Sequence, residues 1–340
     1  MYKGNTIAVT VPAYNEEGYV GTVIDEMPAF VDRVYVVDDC STDGTWAEIK
    51  RHAAADGVTP DAPGFDERVV PIQHDSNRGV GGAIKTGYLR AREEGIDVTV
   101  VMAGDAQMNP DELERYIDPV AEGEADYAKG NRFMNRDDWT AIPGLRFVGN
   151  VLLSYLTKVA SGYWKTMDTQ NGYTAISLTA LEEADIEEMY EYYGYCNDLL
   201  VKLNARNLRV ADVARSAEFA YDDDWKSHID YSEYVPRVSA MLFRNFLWRL
   251  KDKYLLRDFH PLAFCYIAGM GMLGIGVFGG IAALASRSDG ADWLATACLG
   301  VALFLYGATL DMEDNRALER QIDRRDATPE REPPQLLAED

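Results

Sequence analysis

An acid and an amide, Asp105 and Gln107, stand two residues apart directly after a short apolar run. In an extended chain, side chains two positions apart project to the same side. Carboxylate and amide oxygens suit Mg²⁺ or Mn²⁺, and such an ion would be shared with a diphosphate. The spacing therefore makes these two residues candidate ligands of a divalent cation.

Two adjacent aspartates, Asp38 and Asp39, follow another apolar run. One carboxylate at such a strand end can accept hydrogen bonds from a ribose hydroxyl or a base imide. The same pair is also compatible with a helix-capping Asp beside a solvated neighbour. The residues alone leave both interpretations open.

A glycine-rich segment at residues 76–87 (SNRGVGGAIKTG) nearly matches two phosphate-binding motifs. A Walker loop needs Gly where Ile84 stands, and a dinucleotide fingerprint that begins at Gly79 needs a small residue there. We therefore predict neither a P-loop nor a Rossmann cofactor site. The glycines still allow a ligand to approach the backbone closely.

Four apolar runs rich in Val and Ile predict the strands that carry these residues. The runs are 6–11, 33–37, 68–72 and 98–102, and helical periodicity follows each of them, at 17–27, 43–55, 81–93 and 110–121. This alternation predicts an α/β fold with a mainly parallel sheet covered by helices on both faces. Ligands of such sheets bind at the carboxyl ends of the strands, where the candidate residues stand.

The charge balance excludes one class of partner. The 340 residues include 33 Lys and Arg against 56 Asp and Glu, for a net charge of -23. Such a chain repels polyanions, so we expect no nucleic-acid partner. The acids are spread along the chain, as in proteins from a high-salt cytoplasm, which suggests a halophilic archaeon. The four cysteines form no metal knuckle or disulfide framework and are expected to be reduced.

Two uncharged stretches near the C-terminus, 261–285 and 293–310, differ in kind from the rest. At ~1.5 Å per residue, each crosses most of a hydrocarbon layer of ~30 Å. The short linker between them predicts a two-helix transmembrane hairpin with both ends on the same side. The alternative is a pair of buried core helices.

Basic residues flank this predicted hairpin on both sides. Cytoplasmic flanks carry the excess of Lys and Arg, so both ends are predicted to be cytoplasmic. The upstream apolar residues suggest an amphipathic helix on anionic lipid, and the alternative is an ordinary packed helix. The basic residues are Arg237, Arg244, Arg249, Lys251, Lys253, Arg257, Arg316, Arg320, Arg324 and Arg325; the apolar ones are Val235, Val238, Met241, Leu242 and Leu250.

Four strand-end motifs occur in order: VPAYNEE (11–17), VVDDCSTDGT (36–45), the Asn77-Arg78-Gly79 loop and AGDAQ (103–107). As a set they resemble glycosyltransferase family 2, most closely its dolichyl-phosphate mannosyl/glucosyltransferase branch, over residues 6–226. The resemblance implies a GT-A type fold. With the hairpin, we expect a catalytic domain at 1–228, amphipathic juxtamembrane helices at 229–260, a transmembrane hairpin at 261–311 and a charged, partly disordered cytoplasmic tail at 312–340.

On the donor side, the resemblance places five residues around the nucleotide sugar, with the last two at the base: Pro12, Tyr14, Glu16, Val37 and Asp39. The family's acid motif usually reads Asp-x-Asp-x-Gln. Here Ala103 stands at the first acid, which leaves Asp105 and Gln107 as ligands of Mg²⁺ or Mn²⁺. The donor diphosphate would supply further oxygens.

On the acceptor side, the resemblance points to four residues. Arg132 in GNRF would meet phosphate, and the segment DTQNGY, with Gln170, would shape the acceptor pocket. Asp198 in YCNDLL would face the reaction centre, and Lys226 would bind phosphate. An arginine common in the family's last loop is absent here, at Ala220.

The resemblance implies an inverting transfer of a hexose from a UDP- or GDP-sugar to dolichyl phosphate or a dolichol-linked glycan, in protein N-glycosylation. A polyprenyl phosphate is already an anion and needs no strong base, whereas a sugar hydroxyl needs one, with Asp198 as the candidate. The alternatives are synthesis of a glycolipid or transfer to another polyprenyl carrier, and a non-catalytic membrane scaffold suggested by Ala103. The aromatic run 189–195 is expected to pack around the floor of the site, and the four histidines are expected to be structural or solvated.

Overall fold

The computed structural model covers residues 1–134, 144–214, 231–286 and 290–323, with only the backbone of 144–150 and 231–233. Lys226 and the end of the tail therefore lie outside the described residues. Within these ranges the chain forms an eight-stranded sheet. Its strands are β1 (Ile7–Ala13), β2 (Arg33–Asp38), β3 (Val69–Gln73), β4 (Val98–Val101), β5 (Tyr127–Asn131), β6 (Thr174–Ser177), β7 (Val210–Ala214) and β8 (Glu319–Ile322).

The sheet is mainly parallel, which confirms the predicted fold class. The strands lie in the order β3-β2-β1-β4-β6-β5-β7-β8. Only β6 runs antiparallel to its neighbours, β4 and β5. The four predicted apolar runs are the first four strands, with their ends displaced by at most two residues.

Helices cover both faces of the sheet, because each strand alternates its side chains between two cores. On β1, Ile7, Val9 and Val11 belong to one buried cluster, with residues of α1, α2 and α4. Ala8 belongs to the other, with residues of α3, α6 and α7. These helices are α1 (Val20–Asp25), α2 (Thr45–Ala55), α3 (Val80–Glu93), α4 (Leu113–Ala121), α6 (Leu178–Glu183) and α7 (Tyr195–Ala205), with α5 (Gly144–Ser161) preceding β6.

Two long apolar helices, α9 (Leu262–Ser286) and α10 (Ala291–Asn315), pack against each other and are here called the apolar hairpin. Both are long and apolar enough to cross a membrane, and only 17% of each apolar window is buried within the protein. Large side chains such as Phe278 (75% exposed) and Leu284 (81%) face outward. Core helices would bury these side chains, so the alternative of core helices is wrong. The two-helix hairpin is confirmed, and its crossing of a membrane stays a prediction.

Glycines bring the two helices of the hairpin into backbone contact, as small residues do between membrane helices. A Cβ on Gly300 would lie 2.4 Å from the backbone nitrogen of Leu273, and one on Gly269 would lie 2.7 Å from that of Phe304. Neither position has room for a larger side chain. The hairpin is therefore a close-packed unit.

The chain returns from the hairpin into the sheet, which corrects the predicted tail at 312–340. After α10, a short 3₁₀ turn (Arg316–Leu318) leads into β8, which pairs in parallel with β7. Asn315 is wholly buried and Glu319 is 6% exposed. Residues 315–322 are therefore part of the folded domain. A strand of only four residues, ERQI, has too little apolar pattern to be recognised from sequence.

The helix expected to lie on lipid through its apolar residues instead packs inside the protein. This helix, α8 (Tyr231–Arg249), continues as a π-helical segment (Leu250–Arg257) and contacts α5 and α7. Val238, Met241, Leu242 and Leu250 are each at most 5% exposed and share one buried cluster. The sequence could not distinguish a helix that lies on lipid from one that packs inside the protein, because the same apolar stripe fits both environments.

A wholly buried ion pair joins α8 to the end of the hairpin. The Arg249 guanidinium donates to both oxygens of Asp311, at 3.1 and 2.7 Å, and both side chains have no solvent exposure. The same guanidinium reaches Asn204 of α7 at 3.0 Å and the carbonyl of Val159 in α5 at 3.3 Å. Burial alone would lower the pKa of Arg249, but the negative charge of Asp311 outweighs it and raises the pKa. One side chain thus ties three helices of the domain core to α10.

Arg249→Met is predicted to destabilise the protein by about 3–5 kcal/mol, because it leaves the Asp311 carboxylate buried without its counter-ion. The measurement is the midpoint of thermal unfolding of the full chain in detergent. Arg316→Met is the matched control: its pair with Glu313 is 3.9 Å apart and both side chains are at least 70% exposed. Loss of that exposed pair should cost about 0–1 kcal/mol. Equal shifts in the two variants would contradict the structural role of Arg249.

Candidate active site

The loops after β1, β2 and β4 meet at the carboxyl edge of the sheet and bind one another. The Asp39 amide donates to the Ala13 carbonyl at 2.8 Å, and the Gly104 amide donates to the Pro12 carbonyl at 3.1 Å. The Asn15 amide donates to the Ser41 hydroxyl at 2.9 Å. The strand-end motifs therefore form one continuous surface, as predicted for the edge of a parallel sheet.

The Asp39 carboxylate, predicted to contact the nucleotide, closes a loop of the protein. It is 2% exposed and accepts hydrogen bonds from the amides of Arg78 (2.8 Å) and Gly79 (2.7 Å). The imidazole of His74 lies 2.7 Å from the same carboxylate and contacts Thr86 with its other nitrogen. Asp39 thus fixes the entry into α3, and a contact with the nucleotide stays a prediction. The structural role expected for the histidines is confirmed for His74.

Two further donor-side candidates, Pro12 and Val37, are partners in the β1–β2 ladder. Val37 is wholly buried, and Pro12 is also buried. A side chain without exposed surface has nothing to offer a ligand in this conformation. The side chain of Val37 supports the strand ends from the core, and the expected contact of this residue with the base stays a prediction. Tyr14 is 46% exposed at the end of the same ladder and keeps its predicted access to a ligand.

Two glycines of residues 76–87, Gly79 and Gly81, accommodate the protein's own backbone, and the approach of a ligand that the sequence allows stays a prediction. A Cβ on Gly81 would lie 2.4 Å from the Tyr190 carbonyl, and one on Gly79, at φ +81°, would lie 2.7 Å from the Glu191 carbonyl. The Glu191 carboxylate pairs with Arg78 at 2.8 Å and Lys85 at 3.0 Å. The pKa of Glu191 is lowered, first by its hydrogen bond from Arg78. Residues 190–191 therefore cover the N-terminus of α3.

Two carboxylates, Glu16 after β1 and Asp105 after β4, are electrostatically coupled at this edge. Burial, then the negative charges of Asp105 and Asp43, raises the pKa of Glu16 to about 7. The pKa of Tyr193 is raised by burial and then by Glu16 and Asp105. Tyr193 is 53% exposed, so a half-exposed ring stands beside the two acids. Within the aromatic run, Met189 and Tyr195 pack as expected, while Tyr193 faces the site.

The residues at this edge suit a divalent cation that takes most of its ligands from phosphate oxygens and water and few from the protein. The described residues include no group of three His, Cys, Asp or Glu side chains that could hold a metal ion, in line with Ala103 at the first acid position. Burial and then the negative charges of Asp105 and Asp43 raise the pKa of Glu16, and a cation would relieve the repulsion between these charges. Mg²⁺ commonly binds through one or two carboxylates plus phosphate oxygens and water. Asp105 also accepts the Gln107 amide at 3.1 Å, which fixes the turn between the two candidates.

Arg132, predicted to meet phosphate, forms a bidentate pair with a buried acid. Its Nε and Nη2 donate to Asp168 at 2.8 Å each, and Asp168 is 1% exposed. Burial would raise the pKa of Asp168, but the charge of Arg132 holds it far below the usual range. In this conformation the guanidinium is fixed by the segment DTQNGY. The sequence could not show the pair, because the two residues lie 36 positions apart.

The loop before β6 places Gln170 next to a buried network of hydrogen-bonded polar side chains. Asn197 of α7 donates to the hydroxyls of Thr157 (2.7 Å) and Thr169 (2.9 Å). The neighbouring Gln170 amide nitrogen is inaccessible to solvent and has no hydrogen-bond partner among the described residues. A buried donor without an acceptor is costly, so an incoming oxygen would satisfy it. This is consistent with Gln170 in the acceptor pocket, which stays a prediction.

Asp198, the candidate base, lies in the protein interior. It is 2% exposed and accepts hydrogen bonds from the Tyr190 amide at 2.9 Å and the Asn245 side chain of α8 at 2.6 Å. Burial raises its pKa, despite the opposing charge of Lys202. In this conformation Asp198 is enclosed, and its expected role at the reaction centre stays a prediction. Asp198 holds the segment before α7, which carries Tyr193.

The family model described as glycosyl transferase family 2 matches residues 8–184. A UDP-N-acetylglucosamine–dolichyl-phosphate N-acetylglucosaminyltransferase of Methanococcus voltae is 30% identical over 61% of this chain and 83% of its own length. A polyprenol monophosphomannose synthase of Mycolicibacterium smegmatis is 31% identical over 55% and 67%. An undecaprenyl-phosphate mannosyltransferase of Micrococcus luteus is 26% identical over 61% and 81%.

The coupling of Glu16 to Asp105 predicts a pH-dependent stability. The Glu16 pKa is about 7 in the fold against 4.5 as its ordinary value, so its contribution to stability is present below the lower value and is lost as the pH rises through the higher one. Glu16→Gln should therefore be more stable than the wild type at about pH 8, by on the order of 1 kcal/mol after solvent screening, and equal at about pH 4. Thermal unfolding across this range is the measurement. Glu26→Gln, at an exposed position, should show no such pH dependence. A pH-independent difference for Glu16→Gln would contradict the raised pKa of Glu16.

Proposed function

Because the chain belongs to glycosyl transferase family 2 and is a glycosyltransferase, we propose that it transfers a hexose from a UDP- or GDP-sugar to dolichyl phosphate. The relatives above are named for different sugars, N-acetylglucosamine and mannose, but each name includes a polyprenyl-type lipid. Those names support the class of acceptor more strongly than the identity of the sugar. The carboxyl edge of the sheet, which carries the candidate active site, would then lie at a membrane surface.

The observation that carries this proposal is the rigid attachment of the apolar hairpin to the sheet domain. The hairpin begins after the π-helical segment and ends in β8, so both of its ends meet the same domain. The buried pair of Arg249 and Asp311 fixes one end. If the hairpin spans a bilayer, the site edge stays at a constant distance from the lipid. The phosphate of a lipid acceptor would lie at the membrane surface, at the same depth as the site edge.

On the donor side, the two acids at the edge of β1 and β4 would face the diphosphate. Bound at Asp105 and Gln107, Mg²⁺ or Mn²⁺ would neutralise the charge that develops on the departing nucleoside diphosphate. Tyr14, which follows β1, and Tyr193 have half-exposed rings, suited to stacking on a base or a sugar. The segment at residues 76–87 supports this edge through the hydrogen bonds of Arg78 and Gly79 to Asp39.

On the acceptor side, the anionic oxygen of a phosphate would attack the anomeric carbon in line with the leaving group. Such an oxygen needs no base, which agrees with the enclosed position of Asp198. Gln170 would donate to the acceptor phosphate, and Lys226, outside the described residues, would add a positive charge. Arg132 contributes through its pair with Asp168, which shapes the loop that presents Gln170.

We further propose that both ends of the hairpin are cytoplasmic, since basic residues flank it on both sides. A dolichyl-phosphate sugar made on that face would serve as a donor or intermediate in protein N-glycosylation. A dolichol-linked glycan as acceptor would require a base for its sugar hydroxyl, and the burial of Asp198 makes this less favourable.

A donor screen tests the proposed function. Membranes that contain the protein are incubated with dolichyl phosphate, Mn²⁺ and labelled UDP- or GDP-sugars, and label is counted in the organic phase. The expected result is label from one nucleotide sugar that depends on added dolichyl phosphate. Absence of label with every donor would overturn the proposal.

Asp105→Asn is predicted to lower the transfer of label about 100-fold or more, because a neutral amide lacks the negative charge with which the carboxylate holds a cation on the diphosphate. The assay is the same organic-phase count, with expression and thermal unfolding matched to the wild type. Asp61→Asn is the control, since this acid is 74% exposed and away from the site edge. Equal label in the wild type and Asp105→Asn would rule out the role of Asp105.

A further inference from the structure

We propose that β8, the strand after the apolar hairpin, positions the acceptor side of the site through Glu319, which holds the loop at residues 162–172. This inference rests on the proposed function for the identity of the acceptor. It makes the segment beyond the hairpin a working part of the sheet domain, and Glu319 a positioning residue that does not touch the substrate.

The contact between β8 and the loop is direct and enclosed. One oxygen of Glu319 accepts hydrogen bonds from the amides of Lys165 at 2.5 Å and Thr166 at 3.1 Å. Glu319 is 6% exposed and pairs in register with Val210 of β7. A carboxylate that accepts from two adjacent backbone amides fixes both peptide planes. The start of the loop is therefore set by where β8 lies in the sheet.

The rest of the loop is held by the strands beside β8 and by α7. The Met167 amide donates to Asp212 of β7 at 2.9 Å, and the ammonium group of Lys129 in β5 donates to the carbonyl of Met167 at 2.5 Å. Arg132 then fixes Asp168, and Asn197 fixes Thr169. Each of these residues is oriented in turn from a neighbouring element.

Gln170 follows this run of fixed residues. Its amide nitrogen is shielded from solvent and has no hydrogen-bond partner among the described residues. The loop is thus anchored at successive positions and offers one unsatisfied donor where they end. A phosphate or carbonyl oxygen of an acceptor would satisfy that donor. The position of this donor depends on Glu319 because the anchoring of the loop begins there.

The hairpin determines where β8 lies. Asn315, at the end of α10, accepts from Asn204 of α7 and from Lys253, both at 2.8 Å. Only the short 3₁₀ turn at Arg316–Leu318 separates this clamp from Glu319. A displacement of the hairpin in its membrane would therefore reach the loop within a few residues. The acceptor is a lipid of the same membrane, so the geometry of its pocket would be set by the helices embedded beside it.

Kinetics of the full chain in membranes test the proposal, with dolichyl phosphate as acceptor and the donor found by the screen. Glu319→Ala should raise the apparent KM for dolichyl phosphate about tenfold and leave the KM for the nucleotide sugar unchanged, since the lost bonds act on the acceptor side alone. Glu319→Gln should be close to the wild type, because its amide oxygen still accepts from both amides. Glu313→Ala removes the same charge from a 77% exposed position six residues before Glu319 and should match the wild type.

Hydrogen exchange of the full chain without substrate gives a second readout that needs no activity. The amides of residues 165–166 should exchange faster in Glu319→Ala than in the wild type or Glu313→Ala. Chains that end after residue 323 or after residue 315 both keep the hairpin, and only the first keeps β8. The longer chain should retain the acceptor KM of the wild type, and the shorter chain should show the raised KM or fail to fold.

The outcomes separate this proposal from the proposed function. Unchanged exchange at residues 165–166 in Glu319→Ala, or equal rises in the KM of donor and acceptor, would overturn the positioning role. A wild-type protein that labels no lipid with any donor would overturn the proposed function, while the exchange measurement would still decide whether Glu319 holds the loop.

Discussion

A guanidinium that has lost all contact with water needs an anion beside it, and Arg249 has one in Asp311 at the end of the apolar hairpin. The pair is expensive to bury and is stable only because further groups complete it, among them Asn204 and the Tyr254 hydroxyl. The hydrogen bonds of such a junction form in one arrangement of the helices, whereas an apolar contact allows the two surfaces to slide past each other. The hairpin therefore has one orientation relative to the sheet domain.

The two sides of the site follow from different constraints. On the donor side, the parallel strands bring Glu16 and Asp105 to one edge, where burial and then the repulsion between their charges raise the pKa of Glu16. This arrangement costs stability in the free protein and is useful only when positive charge arrives with the ligand. On the acceptor side, charges are instead neutralised internally, as in the pair of Arg132 and Asp168, and serve to hold a loop still.

The sequence predicted the features that depend on local pattern. Apolar runs located the first four strands, and uncharged length located the hairpin, because both signals are carried by neighbouring residues. It could not predict partners that only the fold brings together: Asp39 with His74, Glu191 with Arg78, and Asp198 with Asn245. Strand β8 was missed for a related reason. A four-residue polar strand owes its place to β7 and to α10, and not to its own composition.

The burial of Asp198 bears on the chemistry of the acceptor. A hydroxyl nucleophile must lose its proton as the bond to the anomeric carbon forms, so a base must reach it. Asp198 already accepts from Tyr190 and Asn245, and exposing it would break contacts that hold both the aromatic segment and α8. A phosphate oxygen carries its charge into the site and removes this requirement. The buried position of Asp198 and the apolar hairpin thus favour the same acceptor, a lipid-linked phosphate, on independent physical grounds. The first favours a nucleophile that is already an anion. The second favours an acceptor whose lipid lies in a membrane.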